Sequence, residues 1–489
     1  MSYYAFGPGG VCLREVFPRA RFLGAQDIQV SSCTSDWRVC RPGDLFVALV
    51  DGDGDGHDEV PHAIEQGAAA VLSERPLPWQ IPTCVVDDTR LGLGRVCHAL
   101  AGHPSQQLSV IGITGTYGKT TTGTLVAAVL EAAGRRAGFM SSLGYTDGVE
   151  SSPISSSTPT APEFAHWLQR MVAHHCDHAI VELSSQALAE RRAAGLSVDI
   201  AILTNIRRAH LDLHGSTLNY RSAKARLFQQ LKPSGVAIIN ADDPDSKFLL
   251  TELERPVITV GVASPAEVTA TPLESHRSEQ TFLITAGNDS MPLRTSLVAD
   301  FQIMDFLAAT AAGLVLGIDL PTIVRGLESV SRIPGRLERV ECGQAFGVFV
   351  DQTPTPEALA TVLKSLRPLT PGRLICVFGT AGERDRDSRP QWGRVAERSA
   401  DVPVITTHDP GHEAPLRIAH DILDGCRNPG KPHLIANRTK AIEWALQIAR
   451  PGDTVLIAGK APQGGQLIGD ETVPFDDADV ARSCLYQPI

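Results

Sequence analysis

A chain of 489 residues is too long for one ordinary core, so several domains are expected. Its net charge of -11 excludes a scaffold held on nucleic acid by phosphate contacts, whereas a small anionic ligand needs only local basic sites. With 43% hydrophobic and 20% charged residues the composition is that of a soluble globular protein, and no apolar run reaches the ~18 residues of a membrane span. The ten cysteines are scattered without a CxxC pair, as buried thiols of a reducing compartment would be. No basic-then-apolar segment opens the chain, so a cytoplasmic location is expected.

Residues 1–102 carry short strand-like runs at Leu45–Val50 and Ala69–Leu72, with a helix expected at Val60–Gln66, before Gly102-His-Pro-Ser105 breaks the pattern. Residues 103–332 alternate apolar runs (Val110–Ile113, Ala179–Leu183, Ile200–Leu203, Val236–Ile239) with helix-length amphipathic segments. That alternation predicts an α/β fold of stacked βαβ units around a mostly parallel sheet. The Thr- and Ser-rich passage Val268–Ala299 reads as antiparallel strands, and Asp305–Leu327 as one helical stretch. Ile333-Pro-Gly335 marks a boundary, and alternation resumes in 333–489 at Val348–Val350, Leu374–Phe378, Val404–Thr406 and Thr454–Ile457.

The sharpest signal is Leu108-Ser-Val-Ile-Gly-Ile-Thr-Gly-Thr-Tyr-Gly-Lys-Thr-Thr-Thr122, an apolar strand running into glycines, a lysine and hydroxyls before a helix. Gly115 and Gly118 let backbone N–H groups approach an anion, Lys119 can reach a β/γ-phosphate, and Thr120 can offer its hydroxyl to Mg²⁺. The usual Walker spacing would need glycine at Ile113; here Gly112, Gly115 and Gly118 recur every third residue. An incidental lysine in a Gly-rich strand-to-helix turn is the plain structural alternative.

Polar clusters follow the next strands, at the edge where open α/β sheets bind ligands. Glu182 ends one strand, His210 lies in Thr204-Asn-Ile-Arg-Arg-Ala-His-Leu-Asp-Leu-His-Gly215, and Lys224 lies on the helix expected at Tyr220–Phe228. Singly, each has a plain reading as a helix cap, a buried hydrogen-bonder or a solvated charge. Together, beside a phosphate loop, they point to a site for a hard cation, which takes oxygen ligands such as Thr120 and Glu182.

The order of motifs resembles that of the Mur ligases, most nearly the MurE type, the UDP-N-acetylmuramoyl-L-alanyl-D-glutamate:amino-acid ligases. It runs phosphate loop, Ser157-Thr-Pro-Thr160, Glu182-Leu-Ser-Ser185, Asn205…His210-Leu-Asp-Leu-His-Gly215, Lys224-Ala-Arg-Leu-Phe228, Asn240-Ala-Asp-Asp243. Arg41-Pro-Gly-Asp-Leu-Phe-Val-Ala48, Pro334-Gly-Arg-Leu-Glu338, Arg389-Pro390 and Ile457-Ala-Gly-Lys460 extend it along most of the chain. The resemblance implies three domains, for a UDP-linked muramoyl-peptide, for ATP, and a Rossmann-like one for the incoming amino acid. It implies an acyl-phosphate ligase of peptidoglycan precursor synthesis, expected as a monomer without nucleic-acid or membrane partners. By position, Gly115, Thr116, Gly118, Lys119, Thr120, Thr121, Asp305, Arg336 and Asp351 would hold ATP. Thr120, Glu182 and His210 would hold Mg²⁺, with Lys224 as the lysine this family carbamylates. Lys119, Glu182, His210 and Lys224 would be the catalytic group, and Ser35, Arg38, Ser157, Thr158, Ser184 and Arg192 would face the nucleotide-peptide substrate. Arg389, Asp409, Gly459 and Gln463 would face the amino acid.

The departures cluster. Tyr117 stands where the family has Asn, Ala209 for Asp, Gln186 for His and Trp37 for Ser. The adenine motif reads Phe301-Gln-Ile-Met-Asp305, and Asp-Tyr-Ala-His-Thr-Pro reads Asp351-Gln-Thr-Pro-Thr-Pro356. The amino-acid-selecting Asp-Asn-Pro-Arg reads His408-Asp-Pro-Gly411, and Gly-Lys-Gly-His-Glu reads Gly459-Lys-Ala-Pro-Gln463. Loss of that arginine removes a bidentate grip on a distal carboxylate, which argues against diaminopimelate. Three readings follow: a cell-wall precursor ligase, a related ligase with a different acceptor, or a non-catalytic homologue that kept the fold for binding.

Overall fold

The computed structural model describes residues 9–51, 54–153, 157–383, 385–460 and 465–486. Internal packing divides the chain into two compact units, 1–260 with 311–318 and 261–310 with 319–489.

Two main sheets organise the first unit. The N-terminal one runs Arg21–Leu23, Thr83–Val85, Ala70–Ser73, Leu45–Val47, Cys33–Thr34, parallel except for the antiparallel Arg21–Leu23 edge. The helix Thr89–Leu100 packs on it, started by Asp88, whose carboxylate accepts from the Leu91 N–H. The central sheet runs Ser151–Ser152, Gly144–Thr146, Ala137–Ser141, His178–Glu182, Ser109–Thr114, Val198–Leu203, Leu231–Asn240, Val257–Gly261. From Ala137–Ser141 onward all pairs are parallel. Its middle strands are buried along nearly their whole length, which is why they read as continuous apolar runs rather than alternating ones. Register brings Ile113 opposite Glu182 and Thr114 opposite Leu203, so the phosphate loop, Glu182 and the residues after Leu203 leave the sheet at one edge.

In the second unit, Val268–Ser275, Gln280–Ala286 and Asp289–Thr295 form an antiparallel meander, as their composition predicts. The single helical stretch expected at Asp305–Leu327 is two helices, Ile303–Val315 and Leu320–Ser329. Gly317 takes a left-handed φ of 74° between them and Asp319 caps the second, accepting from the Thr322 N–H. The final sheet runs Glu338–Arg339, Gly347–Asp351, Thr454–Ala458, Leu374–Phe378, Val402–Ile405, His433–Leu434, parallel except at the Glu338–Arg339 edge. Its two faces have separate apolar cores, one around Leu363, Phe378 and Trp392, the other around Ile442, Val455 and Ile457.

Candidate active site

The phosphate loop joins Ser109–Thr114 to the helix Lys119–Ala132. Gly115 has φ 153°, and a Cβ there would fall 1.8 Å from Thr204 Oγ1, so only glycine permits this approach to the next strand's end. The loop is tied down at Tyr117. Asn205 accepts from the Tyr117 N–H through Oδ1 at 3.1 Å and donates to the Tyr117 carbonyl through Nδ2 at 3.1 Å. Thr204 Oγ1 donates to the same carbonyl at 2.6 Å. The substituted residue is therefore held by its backbone.

Around the loop the expected side chains converge. Thr120 Oγ1 donates to Glu182 Oε2 at 2.9 Å, and Lys119 Nζ lies 3.8 Å from Glu182 Oε1. Lys119 also donates to the carbonyls of Gly115 and Thr116, at 3.1 and 3.2 Å. Lys224 Nζ donates to the Gly115 carbonyl at 2.7 Å and lies 4.6 Å from the centre of the Tyr220 ring. Glu182, Thr120 and Lys224 are buried. Burial, with Lys119 nearby, lowers the Lys224 amine well below its usual value despite Glu182, which favours a neutral nucleophilic nitrogen. Tyr220 closes the back of the cluster through a 2.9 Å bond between its hydroxyl and Thr116 Oγ1. Thr121 is buried in the first turn of the following helix.

His210 is exposed, with a left-handed φ of 53°, and its ring centre lies 6.3 Å from that of Tyr220. On the other side of Glu182, Thr158 Oγ1 donates to the Glu182 carbonyl at 3.0 Å and accepts from the Ser184 N–H at 3.2 Å. Arg192 donates to the Thr158 carbonyl at 3.0 Å and to Glu190 at 2.7 Å. Ser157 is half-buried, and Ser184 caps the helix Ser185–Ala189. In the N-terminal sheet Ser35 is half-buried, whereas Arg38 is exposed and forks onto Asp36 at 2.8 and 3.1 Å. Sequence reasoning did not name Ser142, and it placed Thr204 and Asn205 in a motif without reading their bonds to the loop. Thr204-Asn205 directly after an apolar run was the available signal for two of them.

The charged residues expected in the second unit are largely engaged with their own neighbours. Asp305 is buried in the first turn of Ile303–Val315. Arg336 donates to Gln352. Asp351, its carboxyl raised by burial, accepts from the Leu337 and Thr353 N–H groups at 2.7 and 2.8 Å. Arg389 is fully buried, gripping both Glu413 oxygens at 2.9 Å and Asp421 at 2.8 Å. Asp409 accepts from Lys460 Nζ at 2.7 Å and the Leu467 N–H at 3.0 Å; burial opposes its charge, but His408 and Lys460 outweigh burial and hold its carboxyl well below the usual range. The Gly459 carbonyl accepts from His408 Nε2 at 2.9 Å, so that ring nitrogen carries a proton. Gln463 lies outside the described residues.

The donor set suits Mg²⁺. Thr120 and Glu182 supply hard oxygens, and among the described residues no three His, Cys, Asp or Glu side chains are grouped to hold a metal alone. A cation here would draw its remaining ligands from phosphate and water, as Mg²⁺ does.

Comparison with known proteins agrees with this geometry. The model of the Mur ligase middle domain matches residues 113–313, and that of the Mur ligase glutamate ligase domain matches 335–461. A UDP-N-acetylmuramoyl-L-alanyl-D-glutamate--2,6-diaminopimelate ligase of Geobacillus thermodenitrificans is 37% identical over 459 residues, covering 92% of this chain and 94% of that protein. A UDP-N-acetylmuramyl-tripeptide synthetase of Roseiflexus sp. is 37% identical over 486 residues, covering 94% and 95%. A solved UDP-N-acetylmuramoyl-L-alanyl-D-glutamate--2,6-diaminopimelate ligase superposes with a TM-score of 0.70 at 28% identity, covering 98% of this chain and 99% of that one. The Thermotoga maritima MurF ligase solved with ADP shares the fold at a TM-score of 0.61 and 20% identity, covering 88% and 93%. Phosphate loop, sheet order and full-length similarity agree, and the chain belongs to the Mur ligase family, with its three-domain α/β architecture.

Proposed function

We propose that the chain is an ATP-dependent amide ligase of peptidoglycan precursor synthesis, adding an amino acid to a UDP-N-acetylmuramoyl-dipeptide. The observation that carries this reading is the convergence of Lys119, Thr120, Glu182 and Lys224 on one end of the central sheet. A carboxylate oxygen of the peptide bonds to the γ-phosphorus as the bond to the β–γ bridging oxygen breaks and ADP leaves. The amine nitrogen then attacks the acyl carbon, inorganic phosphate departs and the amine gives up its proton. Two anions must meet in the first step, and neutralising the transferring phosphoryl group is the role assigned to Lys119. Mg²⁺ held by Thr120 and Glu182, with His210, would supply further charge compensation. The low-pKa Lys224 nitrogen suits carbamylation, which would turn it into an anion supporting that site. Arg192 and Thr158 are assigned to the muramoyl-peptide, and Ser35 and Arg38 to the uridine end. Domain limits of 1–102, 103–332 and 333–489, a cytoplasmic location and a monomeric state belong to the same reading. Among the described residues no helix is long and apolar enough to cross a membrane.

The added amino acid is proposed to lack a distal carboxylate. At Gly411, where the family motif has arginine, φ is 56° and a Cβ would lie 2.8 Å from a Glu383 carboxylate oxygen, so the position faces an anion on a left-handed backbone that disfavours any side chain. Ligase activity is favoured over a scaffold role because Lys119, Thr120, Glu182 and the buried Lys224 are all retained. The test is phosphate release with ATP, Mg²⁺, UDP-muramoyl-dipeptide and a panel of amino acids. A response to lysine or a neutral amino acid exceeding that to diaminopimelate is expected. A flat response across the panel, with ATP still bound, refutes the ligase reading.

A further inference from the structure

Ser142 follows the strand Ala137–Ser141, which pairs in parallel with the strand that ends at Glu182. It is buried and touches both proposed cation-binding residues. Its Oγ lies 2.9 Å from Thr120 Oγ1, and its N–H donates to Glu182 Oε2 at 3.1 Å. Thr120 has one hydroxyl proton, and that proton goes to the same Glu182 oxygen at 2.9 Å. The bond between the two hydroxyls therefore runs from Ser142 to Thr120. Two donors converge on Oε2, while Oε1 is the oxygen turned to Lys119, 3.8 Å away.

We propose that Ser142 is a positioning residue for the cation site, fixing the Thr120 hydroxyl and the Glu182 carboxylate so that Oε1 and one Thr120 lone pair are the oxygens offered to a divalent cation. The inference rests on the nucleotide-and-Mg²⁺ reading of this site. A serine held only for packing would tolerate loss of its hydroxyl; one that orients two ligands would not.

The experiment measures Mn²⁺ affinity of the full-length protein by electron paramagnetic resonance in the presence of ADP, beside ADP affinity in a chelator. Ser142→Ala is expected to weaken Mn²⁺ binding by about three- to tenfold, the range of one hydrogen bond, while chelated ADP affinity and the KM for the amino acid stay within twofold. Ser142→Thr, which restores the hydroxyl, is expected to recover Mn²⁺ affinity. Ser142→Cys keeps the volume with a weaker donor and should fall between, which guards against a folding defect in the alanine variant. Unchanged Mn²⁺ affinity in both the alanine and cysteine variants overturns the proposal and leaves the function intact. A wild-type protein that binds neither Mn²⁺ nor ADP overturns the proposal together with the functional reading beneath it.

Discussion

The loop end of the central sheet and the carboxyl end of the C-terminal sheet hold charge in opposite ways. At the first, two lysine amines meet one carboxylate, and the amines rest on backbone carbonyls. At the second, cations and anions close on each other: Arg389 on Glu413 and Asp421, Lys460 on Asp409, Arg438 on Asp477. A buried amine without a carboxylate of its own gives up its proton rather than carry an unmatched charge, and so perturbed a group is typical of places where chemistry is done. Matched pairs need no ligand and act within the fold. Under the proposed function, the difference would separate residues that face chemistry from residues that hold the frame, even where family position groups them.

Breaking either side tests that division. Lys119→Ala should lower turnover roughly a thousandfold, the scale of removing a preorganised donor to a transition-state oxyanion, with an unchanged melting curve; a surviving rate would mean the phosphate site is misassigned. Arg389→Met should instead cost about 3 kcal/mol of stability, because it removes the buried guanidinium shared by Glu413 and Asp421 and leaves Glu413, whose carboxyl is held down at about 2, with only Arg386 and the Glu383 N–H. Denaturant titration reads that loss. A large rise in the amino-acid KM without loss of stability would move Arg389 to the ligand side of the comparison. Lys224→Ala should reduce turnover about a hundredfold, and partial recovery with short-chain carboxylates would identify its carbamate form. The smallest effect concerns His98, buried in the N-terminal helix with both ring nitrogens unpartnered and its pKa pushed down to about 3 by burial. Above pH 6.5 the ring is neutral folded or unfolded. As pH falls below 6.5 the unfolded chain takes up a proton that the folded one refuses, so about 2 kcal/mol is lost by pH 5. His98→Leu should flatten that part of the stability–pH curve.

Much of this was legible in the chain. Leu374–Phe378 was bounded as observed, and the runs around Val110, Ala179 and Ile200 were placed within a residue or two, because strands buried on both faces leave unbroken apolar signals. Short strands such as Cys33–Thr34 and Thr83–Val85 left no such signal: their pairing comes from the sheet around them. Thr89–Leu100 was also hidden, since its two glycines argue against a helix locally while tertiary packing decides for one. At the site, the motif order identified Lys119, Glu182 and Lys224. Asn205 stood in the motif order without a role, because its bonds go to backbone atoms of the loop, and Ser142 was invisible because parallel strand register brings it to Glu182, which a residue pattern does not display.

The resting position of Lys119 has a consequence for selectivity. Its ammonium bonds two carbonyls of its own loop, so an anion that draws it off the loop must offer acceptors in exchange. A polyphosphate tail brings several oxygens at once where chloride brings one acceptor, so under the proposed function the loop would discriminate by the number of acceptors a visitor carries as well as by its charge.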